Sequence, residues 1–334
     1  MSGQRVPVTV LTGFLGAGKT TLIRHLLQNA GGRRIAVIVN EFGDIGFDGS
    51  LVEECGAGAC APGDIVELTN GCICCTVADD FVPTMEALLG RERALDAIVI
   101  ETSGLALPQP LLRAFEWPAI RTRATVDGVV TVVDATALAE GRIPEHDPTP
   151  DPAREHDDPV EEVFDDQLAC ADLVVLSKAD LLDETTLAGV ETRLRSELRP
   201  GVRSVRSRGA DLAASVLIGL AAAAEDDLGA RAGHHGAGEE HDHDDFDSFV
   251  VRPAARADIG SLRASVEAAL AVPGVLRVKG HAPIAGKPSP AVVQAVGSRV
   301  ELAFARPGSR TGEGLVVIGL KGMDRAEVEA ALAA

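Results

Sequence analysis

Two clusters of residues in this chain have the types and spacing to do chemistry. Residues 13–20, Gly-Phe-Leu-Gly-Ala-Gly-Lys-Thr, fill the GxxxxGK[ST] pattern of a phosphate-binding loop. Glycines let the backbone wrap an anion, and the amides of the loop and of the helix that follows can point at phosphate oxygens. Gly13, Gly16, Ala17, Gly18, Lys19, Thr20 and Thr21 are therefore the expected nucleotide contacts. Lys19 should reach the β- and γ-phosphates, where it also serves catalysis, and Thr20 should ligate Mg²⁺. The second cluster is Cys72-Ile73-Cys74-Cys75, three thiols in four positions. Thiolates are ligands for Zn²⁺, Co²⁺ and other borderline or soft ions. Cys72 and Cys74 share a side if the segment is extended, and Cys75 then needs a turn. Three thiolates leave a tetrahedral ion one ligand short, and a site that stays open suits transfer rather than structure. A redox switch, or small buried hydrophobes, are the competing readings of the cysteines.

The elements that must position these residues are legible around them. Residues 6–11 form an apolar, β-branched run, and 19–28 carry Leu22, Ile23, Leu26 and Leu27 at helical spacing. Strand, glycine loop and helix is the order the loop requires. Apolar runs at 35–40, 65–68, 95–101, 126–134 and 173–177 then alternate with helical patterns at 81–89, 159–170 and 184–197. That rhythm predicts an α/β fold, a parallel sheet with helices on both faces. The acidic stretch 145–166 reads as a surface loop running into a helix, and alanine-rich 210–224 as the closing helix. Residues 225–247, rich in Gly, His, Asp and Glu, read as a flexible tether. Beyond it, strands at 248–251, 275–278, 292–295, 300–303 and 315–318, with helices at 259–271 and 325–332, predict a small, mostly antiparallel α+β domain. The expected division is 1–224, a nucleotide and metal domain; 225–247, a linker; and 248–334, the second domain.

Further motifs fall at strand ends. Ser177-Lys178-Ala179-Asp180 follows an apolar run and matches the [N/T/S]KxD guanine-specificity element. The Asp180 carboxylate can accept from guanine N1–H and the exocyclic amine, a pattern adenine lacks, and the Lys178 stem can pack over the base. Ser177 stands where asparagine is commoner. Glu101-Thr102-Ser103-Gly104 occupies the place of a DxxG element, with Glu101 holding Mg²⁺ and serving catalysis and Gly104 meeting the γ-phosphate. No water-positioning glutamine can be picked out; Gln167 is a candidate without support, so slow hydrolysis is expected. In Asn40-Glu41-Phe42-Gly43-Asp44, Glu41 and Asp44 could meet the metal or Mg²⁺, or form a solvated turn. His234, His235, His241 and His243, four of the chain's eight histidines, sit among carboxylates in the tether and could gather divalent ions loosely. Cys55 and Cys60 are not assigned a metal, Cys170 reads as core, and His281 as a structural or surface residue.

With 334 residues, 46% of them hydrophobic, the chain can bury two cores. A formal net charge of −19 excludes a nucleic-acid partner, which demands a basic face. No run of eighteen apolar residues predicts a membrane helix, and six cysteines, three of them within four positions, do not read as a disulfide framework. A reducing cytoplasm is the expected location.

Together GFLGAGKT, VNEFGDIG, ELTNGCICCT, ETSG and SKAD resemble the CobW family of P-loop GTPases. CxCC directly after ELTNG is the most specific sign, and the stretch 40–81 is most similar to the branch tied to aerobic cobalamin synthesis. The resemblance implies a P-loop NTPase fold and a GTPase that binds Mg²⁺ and GTP. It further implies a metallochaperone that takes Co²⁺ at CxCC and delivers it to a client metalloenzyme, the cobaltochelatase. Zinc-handling relatives share the core motifs, and Zn²⁺ is the alternative cargo. A redox-sensing regulatory GTPase is the alternative of another class.

Overall fold

The computed structural model describes residues 5–40, 65–68, 81–91, 93–142, 159–209, 211–231, 246–297, 299–305 and 314–333. They form two compact units, each with its own sheet.

The first unit contains β1 (Val6–Thr12), α1 (Lys19–Gln28), β2 (Ile35–Asn40), β3 (Ile65–Leu68), α2 (Val82–Leu89), β4 (Ala97–Glu101), α3 (Pro108–Ala114) and α4 (Pro118–Arg121). It continues with β5 (Ala124–Asp134), α5 (Ala135–Ala139), α6 (Pro159–Ala169), β6 (Leu173–Ser177), α7 (Glu184–Glu197), β7 (Arg203–Arg206) and α8 (Ala214–Leu217). The strands pair in parallel in the order β3-β2-β4-β1-β5-β6-β7. Both parities of β1 are buried, Val8 and Val10 on one face and Thr9 and Leu11 on the other, as a parallel sheet covered on both sides requires. One face packs α2, α3 and α4 through Met85, Leu88, Leu111, Leu112 and Ile120. A further cluster joins Val133, Val174 and Leu176 to α5, α6 and α7. This is the P-loop NTPase arrangement that the rhythm of the sequence predicts.

One expectation fails here. The closing helix expected at 210–224 reduces to the single turn α8. Asp127, buried in β5, takes the amides of Gly219, Leu220 and Ala221 at 2.5, 3.0 and 2.9 Å. Gly219, Ala221 and Ala223 lie in the left-handed region, with φ of 96°, 53° and 47°. A buried carboxylate satisfied by three backbone donors outweighs the few tenths of a kcal/mol per residue that alanine gains in a helix.

The expected tether also begins later than its composition suggests. Residues 224–226 and 228–231 form two 3₁₀ turns on the first unit. Buried Glu225 accepts from Arg5 Nη1 at 3.2 Å, Thr125 Oγ1 at 2.5 Å and the Val126 amide at 2.9 Å. Arg231 pairs with Asp172 at 2.7 Å and donates to the Cys170 carbonyl, also at 2.7 Å.

The second unit holds β8 (Phe246–Val251), α9 (Ile259–Leu270), β9 (Val275–Ala282), β10 (Ala291–Val296), β11 (Arg299–Phe304), β12 (Gly314–Leu320) and α10 (Arg325–Ala333). Its antiparallel sheet has the order β11-β10-β9-β12-β8. Both helices share one apolar cluster with it, Leu262, Val266, Val328 and Leu332 against Val278, Val293 and Val317. Asp258 caps α9 in a capping box with Ser261. His281 is partly buried on β9, and burial holds its pKa below the ordinary imidazole value.

Candidate functional site

The expected nucleotide contacts sit at the C-terminal ends of three strands, β4, β1 and β6, where open α/β sheets bind ligands. The loop after β1 turns on Gly13, Gly16 and Gly18, with φ of 133°, 72° and 100°. Those backbone angles disfavour any side chain. At Gly13 the restriction is doubled, because a Cβ would lie 2.2 Å from the Val132 carbonyl oxygen. Gly18 opens α1 with no side chain capping it, so the first amides of a ten-residue helix carry the positive end of its dipole into the loop. Lys19 is buried there, its Nζ donating to the Gly13 carbonyl at 2.7 Å and that of Phe14 at 3.3 Å. Thr21, one residue further than Thr20, is exposed on α1.

Thr20 and Glu101 come together. The Thr20 hydroxyl donates to Glu101 Oε1 at 2.8 Å, and Glu101 is buried at the end of β4. A hydroxyl and a carboxylate are hard oxygen donors of the kind Mg²⁺ takes, so the pair fits that ion. Thr102 fixes the turn after β4, its amide donating to the Leu11 carbonyl and its hydroxyl to Thr12 Oγ1. Gly104 then lies against the phosphate loop so closely that a Cβ would meet Leu15 atoms at 2.6, 2.8 and 2.9 Å. Gln167 packs against the same turn. It is fully buried on α6, and its Nε2 donates to the Gly104 and Ala106 carbonyls, each at 3.2 Å. It braces the turn from behind.

At the end of β6, the Ser177 hydroxyl lies 2.6 Å from the Ala17 carbonyl and 3.2 Å from that of Val133. Serine here can tie the strand to the phosphate loop, a bond its side chain is long enough to make. Lys178 adopts φ 56°, ψ 22° and donates to the Gly16 carbonyl at 2.9 Å. Asp180 is exposed beside it. A phosphate cradle, a hard-cation pair and an exposed carboxylate beside a lysine stem thus converge on one edge of the sheet. That set can bind a magnesium nucleotide and read its base.

Residues 7–206 match the CobW/HypB/UreG nucleotide-binding domain, and 246–334 match the cobalamin synthesis protein cobW C-terminal domain. The chain belongs to the CobW/HypB/UreG family of P-loop GTPases. Among its relatives in this family, a Sinorhizobium protein named zinc chaperone CobW is 51% identical over 343 residues, covering 99% of this chain and 97% of the relative. A Pseudomonas aeruginosa protein of the same name is 46% identical over 319 residues, covering 90% and 83%. A Schizosaccharomyces pombe zinc-regulated GTPase metalloprotein activator 1 is 39% identical over 188 residues, covering 55% of this chain and 42% of that protein.

The expected ion ligands outside the nucleotide cradle, Cys72, Cys74, Cys75, Glu41, His234, His235, His241 and His243, lie outside the described residues. Among the described residues no group of three His, Cys, Asp or Glu side chains could hold a metal, and no helix is long and apolar enough to cross a membrane. Cys170 is core: 1% exposed, its thiol pushed up to about 12 by burial. Such a thiol is neither ligand nor redox centre.

One residue at the site goes unnoticed in the sequence. Asp134 ends β5, and its Oδ1 caps α5 by accepting the amides of Thr136 at 3.0 Å and Ala137 at 3.2 Å. Its Oδ2 accepts from Lys178 Nζ. Burial pushes its pKa upward, but the hydrogen bonds from Lys178 and Thr136 and the ammonium charge outweigh that, and the carboxyl titrates below its usual range. An acid closing an apolar strand just ahead of a helix reads as a cap. Its partner, 44 positions away, leaves no local trace.

Proposed function

We propose that this GTPase is a metal chaperone that takes up Zn²⁺ at Cys72, Cys74 and Cys75 and hands it to a client protein, with GTP hydrolysis opening the metal site. The convergence at the ends of β4, β1 and β6 carries the nucleotide half of this reading. The names of the two relatives that span most of the chain favour zinc. Geometry supports a link between the halves. The chain leaves the C-terminal end of β3 at Leu68, four positions before Cys72, and β3 stands three strands from β1. At about 4.8 Å per strand, that is roughly 14 Å from the phosphate loop.

In this reading the loop amides, Gly13, Gly16, Ala17, Gly18 and Thr21 bind the phosphates, while Ser177, Lys178 and Asp180 form the guanine site. Lys19 sits where charge develops on the transferring phosphoryl group, and such positioning supplies most of the catalysis in this chemistry. Thr20 and Glu101 would hold Mg²⁺, which when bound would supply positive charge to neutralise that developing charge. Gly104 marks the γ-phosphate's presence in the turn after β4. With Gln167 committed to bracing that turn, no side chain is assigned to orient the water, and turnover is slow, as suits a loading switch. Glu41 completes the ion site in this scheme, and the histidines of the tether gather ions for it. A reducing cytoplasm keeps the thiols available.

A second reading keeps the mechanism and changes the cargo: Co²⁺, delivered to a cobaltochelatase. The match of residues 246–334 to the cobalamin synthesis protein cobW C-terminal domain favours it. Two measurements test these readings. Changing Cys72, Cys74 and Cys75 together to Ser should abolish tight metal binding while GTP binding survives; retained tight binding would mean that other ligands hold the ion. Competition of Zn²⁺ against Co²⁺ in the GTP-loaded protein decides the cargo.

A further inference from the structure

We propose that Asp134 is a positioning residue of the guanine site, fixing Lys178 so that its stem covers the base. The proposal rests on the nucleotide reading above and goes beyond it to a residue in none of the expected motifs.

Lys178 is held at both ends. Its backbone is left-handed, a conformation that a non-glycine residue keeps only where its surroundings over-determine it. Its ammonium lies between two acceptors, the Gly16 carbonyl at 2.9 Å and Asp134 Oδ2. The carboxylate is itself immobile. Oδ1 accepts the Thr136 hydroxyl at 2.7 Å as well as the two α5 amides, and the side chains of Lys178 and Asp134 are only 16% and 9% exposed. A lysine stem free at its tip samples many rotamers, and ordering it on binding would weaken affinity. Pinning Nζ to a capped carboxylate orders the stem beforehand. The same negative charge stops the ammonium from being drawn toward the phosphates, where Lys19 already stands. Asp134 thus ties three parts of the site together: the end of β5, the phosphate loop and the element after β6.

Asparagine caps a helix about as well as aspartate, so Asp134→Asn keeps α5 and removes only the charge facing Lys178. The test compares wild type, Asp134→Asn, Lys178→Met and the double variant, using GTP, GDP, ITP and ATP binding and steady-state GTP turnover. Asp134→Asn should weaken GTP and GDP alike by about tenfold, the size of a lost charge-assisted contact. KM should rise while kcat stays within about twofold, and ITP, which lacks only the exocyclic amine, should lose as much as GTP. The double variant should bind no more weakly than Lys178→Met alone. Full additivity, or unchanged affinity in Asp134→Asn where Lys178→Met loses it, overturns the proposal. Should Asp134→Asn not fold, Asp134→Ser keeps a capping oxygen too short to reach Lys178, and the same comparison is made with it. Failure of the wild type to prefer GTP over ATP would overturn the guanine reading instead, a separate outcome.

Discussion

Replacing Gly104 by alanine probes the seam between the phosphate loop and the turn after β4. The new methyl carbon would lie 2.6 Å from Leu15 Cδ2, 2.8 Å from the Leu15 amide nitrogen and 2.9 Å from its Cα. Two of these atoms are backbone and cannot rotate aside. Gly104 is not among the left-handed glycines, so the cost is steric rather than conformational. Relief requires the turn and the loop to part by about 0.5–0.6 Å, the gap between the two backbone contacts and the 3.4 Å at which ordinary van der Waals contact begins. Overpacking of this kind costs about 1–3 kcal/mol. Free protein can relax the loop, whereas a bound triphosphate needs it in place, so the cost should fall on affinity: roughly 5- to 150-fold for GTP. GDP should lose less, because the proposed contact of the turn is with the γ-phosphate. Fluorescent-nucleotide titration with a thermal melt of the free protein measures both. Unchanged GTP affinity would refute the argument that this contact sets the loop.

Two further variants test the packing account away from the cradle. Gly189 lies exposed on α7, with open space for 4 Å around the point where a methyl carbon would stand and no left-handed backbone. Gly189→Ala should therefore raise unfolding stability by about 0.5–1 kcal/mol with GTP turnover unaltered, as urea titration would show. Arg206 forks onto Glu191 at 2.6 and 2.9 Å and reaches Glu184 at 2.8 Å; the Arg206 bond holds the Glu191 carboxyl below its usual range. A lowered folded pKa gives stability that is present above the unfolded value and lost as pH falls through the folded one. Arg206→Gln should lower stability slightly near neutrality, as solvent screens so exposed a pair, and the deficit should vanish in acid; a deficit that persists at low pH would mean the contact is not ionic.

Much of the site was legible because its chemistry is local. A glycine loop between an apolar strand and an amphipathic helix fixes its own backbone, and β2, β3, β6 and α7 coincide with the runs read at 35–40, 65–68, 173–177 and 184–197. α7 carries its start in the sequence, Asp183 accepting the amides of Thr185 and Thr186. β7 is four residues, Arg-Ser-Val-Arg, none of them buried; it exists because β6 offers an unpaired edge, which no local pattern announces. α3 and α4 each begin with proline at N1 and are too short for periodicity to register. The alanine run at 210–224 misleads because propensity is a weak prior, and Asp127, some ninety positions earlier, captures its amides. Gln167, in the sequence only a candidate without support, lies buried with its Nε2 on the Gly104 carbonyl, a contact 63 positions away that no local pattern announces.

In the proposed mechanism, nucleotide and metal tighten each other. The direct test is Zn²⁺ affinity in protein loaded with Mg²⁺ and a non-hydrolysable GTP analogue against protein loaded with Mg²⁺ and GDP. Linkage requires tighter Zn²⁺ binding in the triphosphate form, by the same factor by which Zn²⁺ tightens that nucleotide relative to GDP. Equal Zn²⁺ affinities in the two forms would contradict it and leave a GTPase whose thiols answer to something other than its nucleotide.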